Sequence, residues 1–126
     1  MYGFVLQDWA TVGATGVATV IQNESDWLAF SSFQDIAFWI DVRSVSAGTT
    51  TIKLQTSPTK DDLLFQDLTN CSAAVATGST TISLVKNILS TNPGVPLATW
   101  VRWTLTTTAT STTTFRILAS ANRVAA

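Results

Sequence analysis

Histidine is absent from this chain, cysteine occurs once, and charged residues make up only 12% of its 126 positions. Each shortage removes a class of chemistry. General acid–base catalysis draws most often on histidine, and metal centres draw on histidine, cysteine and clustered carboxylates. The serines have no histidine base and no Gly-x-Ser-x-Gly elbow, and the glycines at 3, 13, 16, 48, 78 and 94 are dispersed, with no phosphate-cradling loop. The expectation is a protein that is not an enzyme, with no catalytic residues, cofactor or metal.

Net charge is −1, and the seven Lys and Arg run from Arg43 to Arg123 without a basic cluster, so no nucleic-acid partner is expected. No run approaches the roughly 18 apolar residues that span a bilayer, so no membrane partner is expected either. The first residues, Met1 to Asp8, lack the basic stretch and long apolar segment of a secretory signal. With Met1 intact and Cys71 alone, synthesis in a reducing host cytoplasm is the expectation. Cys71 has no neighbouring cation to lower its pKa and reads as a small buried residue.

What the chain does hold is 46% hydrophobic residues, five Trp, six Phe, 22 Thr and 12 Ser. That composition excludes disorder and fits one domain over residues 1–126. A net charge near zero and a mean hydropathy of +0.29 favour association with copies or partners.

The dominant period is two. Between Asp35 and Val45, Ile36, Phe38, Ile40 and Val42 share one face, while Ala37, Trp39, Asp41 and Arg43 share the other. Thr51–Thr56 repeats the alternation after Ala47-Gly48, predicting an antiparallel hairpin whose Ile52 and Leu54 join the core. Further strands are predicted at Val17–Gln22, Trp27–Phe30, Leu63–Leu68, Thr80–Val85, Thr99–Thr107 and Thr113–Ala121, rich in β-branched and aromatic residues. The Thr-rich tract 104–114 is expected to form a second hairpin with its tip near Thr110-Ser111. In the last two strands both faces carry large apolar groups, marking them as central or interface strands. The predicted fold is all-β: an antiparallel β-sandwich, jelly-roll-like, of about eight strands.

Carboxylates are the remaining candidates for chemistry. Asp35 and Asp41 share a strand face but sit about 20 Å apart at strand rise, too far for a glycosidase pair, and read as solvated positions. Asp61-Asp62 and Glu24/Asp26 occupy turns without calcium-ligand spacing and read as turn and capping residues. Among the tryptophans, Trp103 is in phase with Val101 and Leu105 and belongs to the core. Trp39 and Trp100 lie opposite their aliphatic neighbours, which leaves open an interface contact or stacking on a sugar.

The segments Leu54-Gln55-Thr56-Ser57-Pro58-Thr59-Lys60-Asp61-Asp62-Leu63-Leu64-Phe65, Leu97-Ala98-Thr99-Trp100-Val101-Arg102-Trp103-Thr104-Leu105 and Phe115-Arg116-Ile117-Leu118 resemble small proteins encoded among tailed-phage structural genes. The resemblance runs from about Trp27 to Arg123 and is one of pattern. It implies a virion structural protein of the head decoration, or cement, type, on the capsid surface, partnered by the major capsid protein lattice and often trimeric. Tyr2-Gly3-Phe4-Val5-Leu6 is then either an arm that adds a strand to a neighbour or the first strand of its own sandwich. Tyr2, Phe4, Trp39, Trp100 and Arg102 are the candidate interface residues. A tail or baseplate component, or a carbohydrate-binding module for host attachment, is the alternative.

Overall fold

The computed structural model describes residues 2–123, so the expected domain bounds at 1 and 126 lie outside the described residues. Nine strands follow one another: β1 (Tyr2–Ala14), β2 (Ala18–Ile21), β3 (Leu28–Ala29), β4 (Phe33–Val45), β5 (Thr49–Ser57), β6 (Gln66–Ala76), β7 (Thr81–Asn87), β8 (Trp100–Thr107) and β9 (Ser111–Arg123). They form two antiparallel sheets. The first has the order β1-β9-β4-β7, and the second β2-β8-β5-β6, with β3 also paired to β8. Because β2 and β3 pair successive stretches of β8, they act as one strand interrupted by the segment around Gln22 to Trp27. The resulting eight-strand wrapping is a jelly roll.

The alternation read from the sequence holds in the core. Ile36, Phe38, Ile40 and Val42 are buried from the first sheet, and Ile52, Leu54, Val101 and Leu105 from the second. Trp103 crosses between layers to meet Phe115 edge to face, with ring centroids 5.0 Å apart. Thr50 and Thr113 are also fully buried, and their hydroxyls satisfy each other across the layers at 2.9 Å. Cys71 is buried in the same core, where desolvation pushes its thiol up to about 12.

Both predicted hairpins are corrected by the topology. β4 and β5 lie in different sheets, as do β8 and β9, so each intervening turn carries the chain across the sandwich instead of folding it back. Alternation specifies which side chains point inward, and a strand in the facing sheet satisfies that demand as well as a neighbour does. Gly48, at φ +64°, makes the first crossing. The turn of the Thr-rich tract does fall just before Ser111. β6 also begins later than predicted: the Asp61 carboxylate accepts the Leu63 N–H at 3.0 Å and holds Asp62–Leu64 in a 3-10 turn. No helix among the described residues is long and apolar enough to cross a membrane.

Candidate docking face

The two outer faces of the sandwich differ in chemistry. Across the second sheet the register aligns Thr19, Thr106, Thr51 and Ala74 in one row and Ile21, Thr104, Lys53 and Ser72 in the next. These are mostly polar, as expected of a solvated sheet. Across the first sheet one row reads Val5, Leu118, Trp39, Leu84, each residue directly opposite the next. All four are large and apolar. Val5 and Leu84 are more than half exposed and Trp39 is 37% exposed. A shallow hollow of about 410 Å³ opens at one end of this row, lined by Gly3, Phe4, Val5, Trp39, Leu118 and Ala119.

The neighbouring row carries charge. Arg116, Asp41 and Ile82 are aligned across β9, β4 and β7. Irregularities in the two flanking registers add to it: one sets Asp8 and Trp9 against Arg116, and another releases Arg43 from the β4–β9 ladder. Arg43 donates to Asp41 from Nε at 2.7 Å and Nη2 at 3.2 Å, and Arg116 donates from Nε at 3.1 Å. Both guanidinium groups also sit over the half-exposed Trp9 ring, at 5.7 Å and 4.7 Å from its centroid. Asp41 is only 3% exposed, a correction to the solvated position expected of it. Burial pushes its carboxyl up, but hydrogen bonds and attraction from Arg43 and Arg116 outweigh that and hold it below its ordinary value. Two arginines thus share one buried carboxylate, and the Arg43 side chain is about half exposed.

The five residues singled out from the sequence do not form one site. Trp39 stands at the centre of the apolar row. Tyr2 starts β1, in edge contact with Phe33 at 5.6 Å and with the Arg123 guanidinium 4.8 Å from its ring. Phe4 turns inward against Phe30 and Phe33, so this segment is the first strand of its own sandwich, paired along β9. Trp100 belongs to the second sheet, half-buried, with the Lys60 ammonium 4.5 Å from its ring centroid. Trp39 and Trp100 therefore share no platform on which one sugar stacks.

Arg102, also of the second sheet, is 4% exposed. It lies 4.0 Å from the Phe65 ring and 5.0 Å from that of Trp27, donates to Gln55 at 2.9 Å, and pairs with Asp62. It ties down the loops over that sheet and is covered by its own chain. Val5, Trp9, Ile82, Leu84 and Leu118 were not singled out. Their signal was the opposite phase of strands whose inward phase was already full, visible for Leu118 between Arg116 and Ser120.

No protein-family model and no curated protein matches this chain. Solved structures do. The infectious bursal disease virus VP2 subviral particle is similar over 97% of this chain and 32% of its own, at 12% identity and a TM-score of 0.56. The structure of the Gx strain of the same virus is similar over the same shares, at 9% identity and a TM-score of 0.58. The chain thus spans about a third of the length of these structures. At such identities the likeness is one of fold.

Proposed function

We propose that this chain is a non-enzymatic virion structural protein, a capsid decoration protein that docks on the assembled head through the outer face of the β1-β9-β4-β7 sheet. The observation that carries this reading is the unbroken row Val5, Leu118, Trp39, Leu84 on one face of a sandwich whose other sheet aligns mostly polar residues. An exposed apolar patch bordered by charge is the form of a protein contact surface, with tryptophan and arginine as its characteristic anchors. A capsid surface matching this row is apolar. Likeness of fold to virus particle proteins supports the same reading. So does the engagement of the carboxylates: Asp35 accepts the Leu89 N–H, Asp41 holds two arginines, Asp61 caps a turn, and Asp62 and Asp67 pair with Arg102 and Lys53.

Binding confined to the assembled shell shifts the assembly equilibrium toward it, and many weak copies on one lattice add their effects. The test mixes the purified chain with undecorated capsids, with tails and with a glycan array. Saturable, stoichiometric capsid binding is expected. Binding to tails alone points to the tail reading, binding to glycans alone to the sugar-binding one, and either result overturns the proposal.

A further inference from the structure

The first sheet ends in a second hollow, which the apolar row does not reach. The β4–β7 ladder stops at the pair Val42 and Thr81. Beside that pair lies a space of about 320 Å³, lined by Asp41, Val42, Arg43, Thr80, Thr81 and Ile82. Thr80 is four residues along the chain from Leu84, about 13 Å at strand rise, so the hollow sits at the end of the sheet and apart from the Trp39 row.

Two features of the fold place Arg43 on this hollow. The register of β4 with β9 shifts between Val42 and Ser44, and the bulge leaves Arg43 outside the ladder. The buried Asp41 then fixes the guanidinium, accepting from Nε at 2.7 Å and from Nη2 at 3.2 Å. Those two bonds occupy one edge of the planar fork. The other edge, Nη1 with the second N–H of Nη2, offers two parallel donors and has no partner among the described residues. A carboxylate accepts such a pair bidentately. Asp41 does not serve this edge as well, because its two oxygens already accept from Arg43 and Arg116, and among the described residues no other acid lines the hollow. Asp8, beside Trp9, accepts the Trp9 N–H at 2.8 Å. The hydroxyls of Thr80 and Thr81, on exposed residues, are without a hydrogen-bond partner among the described residues, and Ile82 beside them is 60% exposed.

We propose that this hollow binds a sugar acid, a pyranose ring bearing a carboxylate, as the terminal unit of an acidic glycan. The carboxylate takes the free edge of Arg43, ring hydroxyls pair with Thr80 and Thr81, and the C–H face of the ring lies on Ile82. A hollow of this size is at the lower end of small-molecule sites and holds one such ring. A glutamate or aspartate of a protein partner satisfies Arg43 but leaves both hydroxyls unused, and a phosphate ion leaves Ile82 uncovered. Each threonine hydroxyl both donates and accepts, which suits the hydroxyls of a sugar.

The inference does not depend on capsid docking, which is tested separately with Trp39 variants: a chain that fails to bind capsids still binds the sugar. The test titrates the isotope-labelled full chain with sialyllactose and with glucuronic acid, followed by amide NMR. Saturable shifts at Arg43 and at Thr80 to Ile82 are expected with both acids, and none with lactose or glucose. Arg43→Gln leaves Asp41 its bond from Arg116 and removes the free donor edge. It is expected to weaken binding about tenfold or more, the worth of one bidentate charged contact, with an unchanged circular dichroism spectrum. Thr80→Val is expected to weaken it about threefold. No saturable shift with either acid, binding undiminished by Arg43→Gln, or equal binding of an acidic peptide or of inorganic phosphate overturns the proposal.

Discussion

Trp39 on β4 stands directly opposite Leu118 on β9 at the centre of the outer face of the first sheet, flanked by Val5 and Leu84, and keeps 37% of its surface exposed. Trp103, by contrast, is sealed between the two layers against Phe115. Two tryptophans of one chain thus have different work, and their replacement separates stability from binding. Trp39→Ala, at a site about one-third exposed, is expected to cost about 1–2 kcal/mol, well below Trp103→Ala at roughly 3–5 kcal/mol. Denaturant unfolding of the two variants measures both.

Arg102 holds Asp62 and Gln55 while lying over Phe65 and Trp27. A planar guanidinium makes these contacts together, and an ammonium does not. Arg102→Lys is expected to cost about 1–2 kcal/mol and Arg102→Ala about 2–4 kcal/mol. Faster proteolysis within the segments around Trp27 and Phe65 would accompany the loss.

Asp41 gives the fold its acid sensitivity. Its carboxyl sits lower in the folded chain than in the unfolded one, so the unfolded state takes up the proton first. The stabilisation is therefore complete above the ordinary carboxylate range and is lost as pH falls through the depressed folded value. Stability measured from pH 7 down to pH 2 is expected to fall below about pH 4, and Asp41→Asn is expected to flatten that dependence.

Gly48 is the tightest turn. A Cβ there meets the Thr108 hydroxyl at 2.6 Å and Ala109 Cβ at 3.0 Å, and the backbone is already left-handed. Its carbonyl accepts from the Thr77 hydroxyl at 2.6 Å and the Thr77 N–H at 2.9 Å, so three crossings of the sandwich meet there. Gly48→Ala is expected to cost about 2–3 kcal/mol, read from thermal or denaturant unfolding.

The strands and their inward phase were legible in the sequence because burial imposes a period of two on whichever side chains face the core. Ile36, Phe38, Ile40, Val42, Ile52 and Leu54 all follow it. Strand partners were not legible. The turn after Val45 has the composition of a hairpin turn, yet it leads to the opposite sheet, because pairing is decided by contacts between distant segments, as between β4 and β9 or β1 and β9. The docking face was half legible for the same reason. Trp39 and Leu118 were visibly out of phase with the core, but only the register of four distant strands puts Val5 and Leu84 beside them. Arg102 was misleading as a surface residue, since nothing local to it says that Trp27 and Phe65 close over it.

Co-sedimentation of Trp39→Lys and Trp100→Lys with undecorated capsids, beside the wild-type chain, tests the docking face most directly. The two substitutions place the same charge on opposite outer faces. Wild type and Trp100→Lys are predicted to bind with equal stoichiometry, while Trp39→Lys, folded by circular dichroism, stays in the supernatant. Saturable binding by Trp39→Lys, or loss of binding by Trp100→Lys alone, would contradict the account.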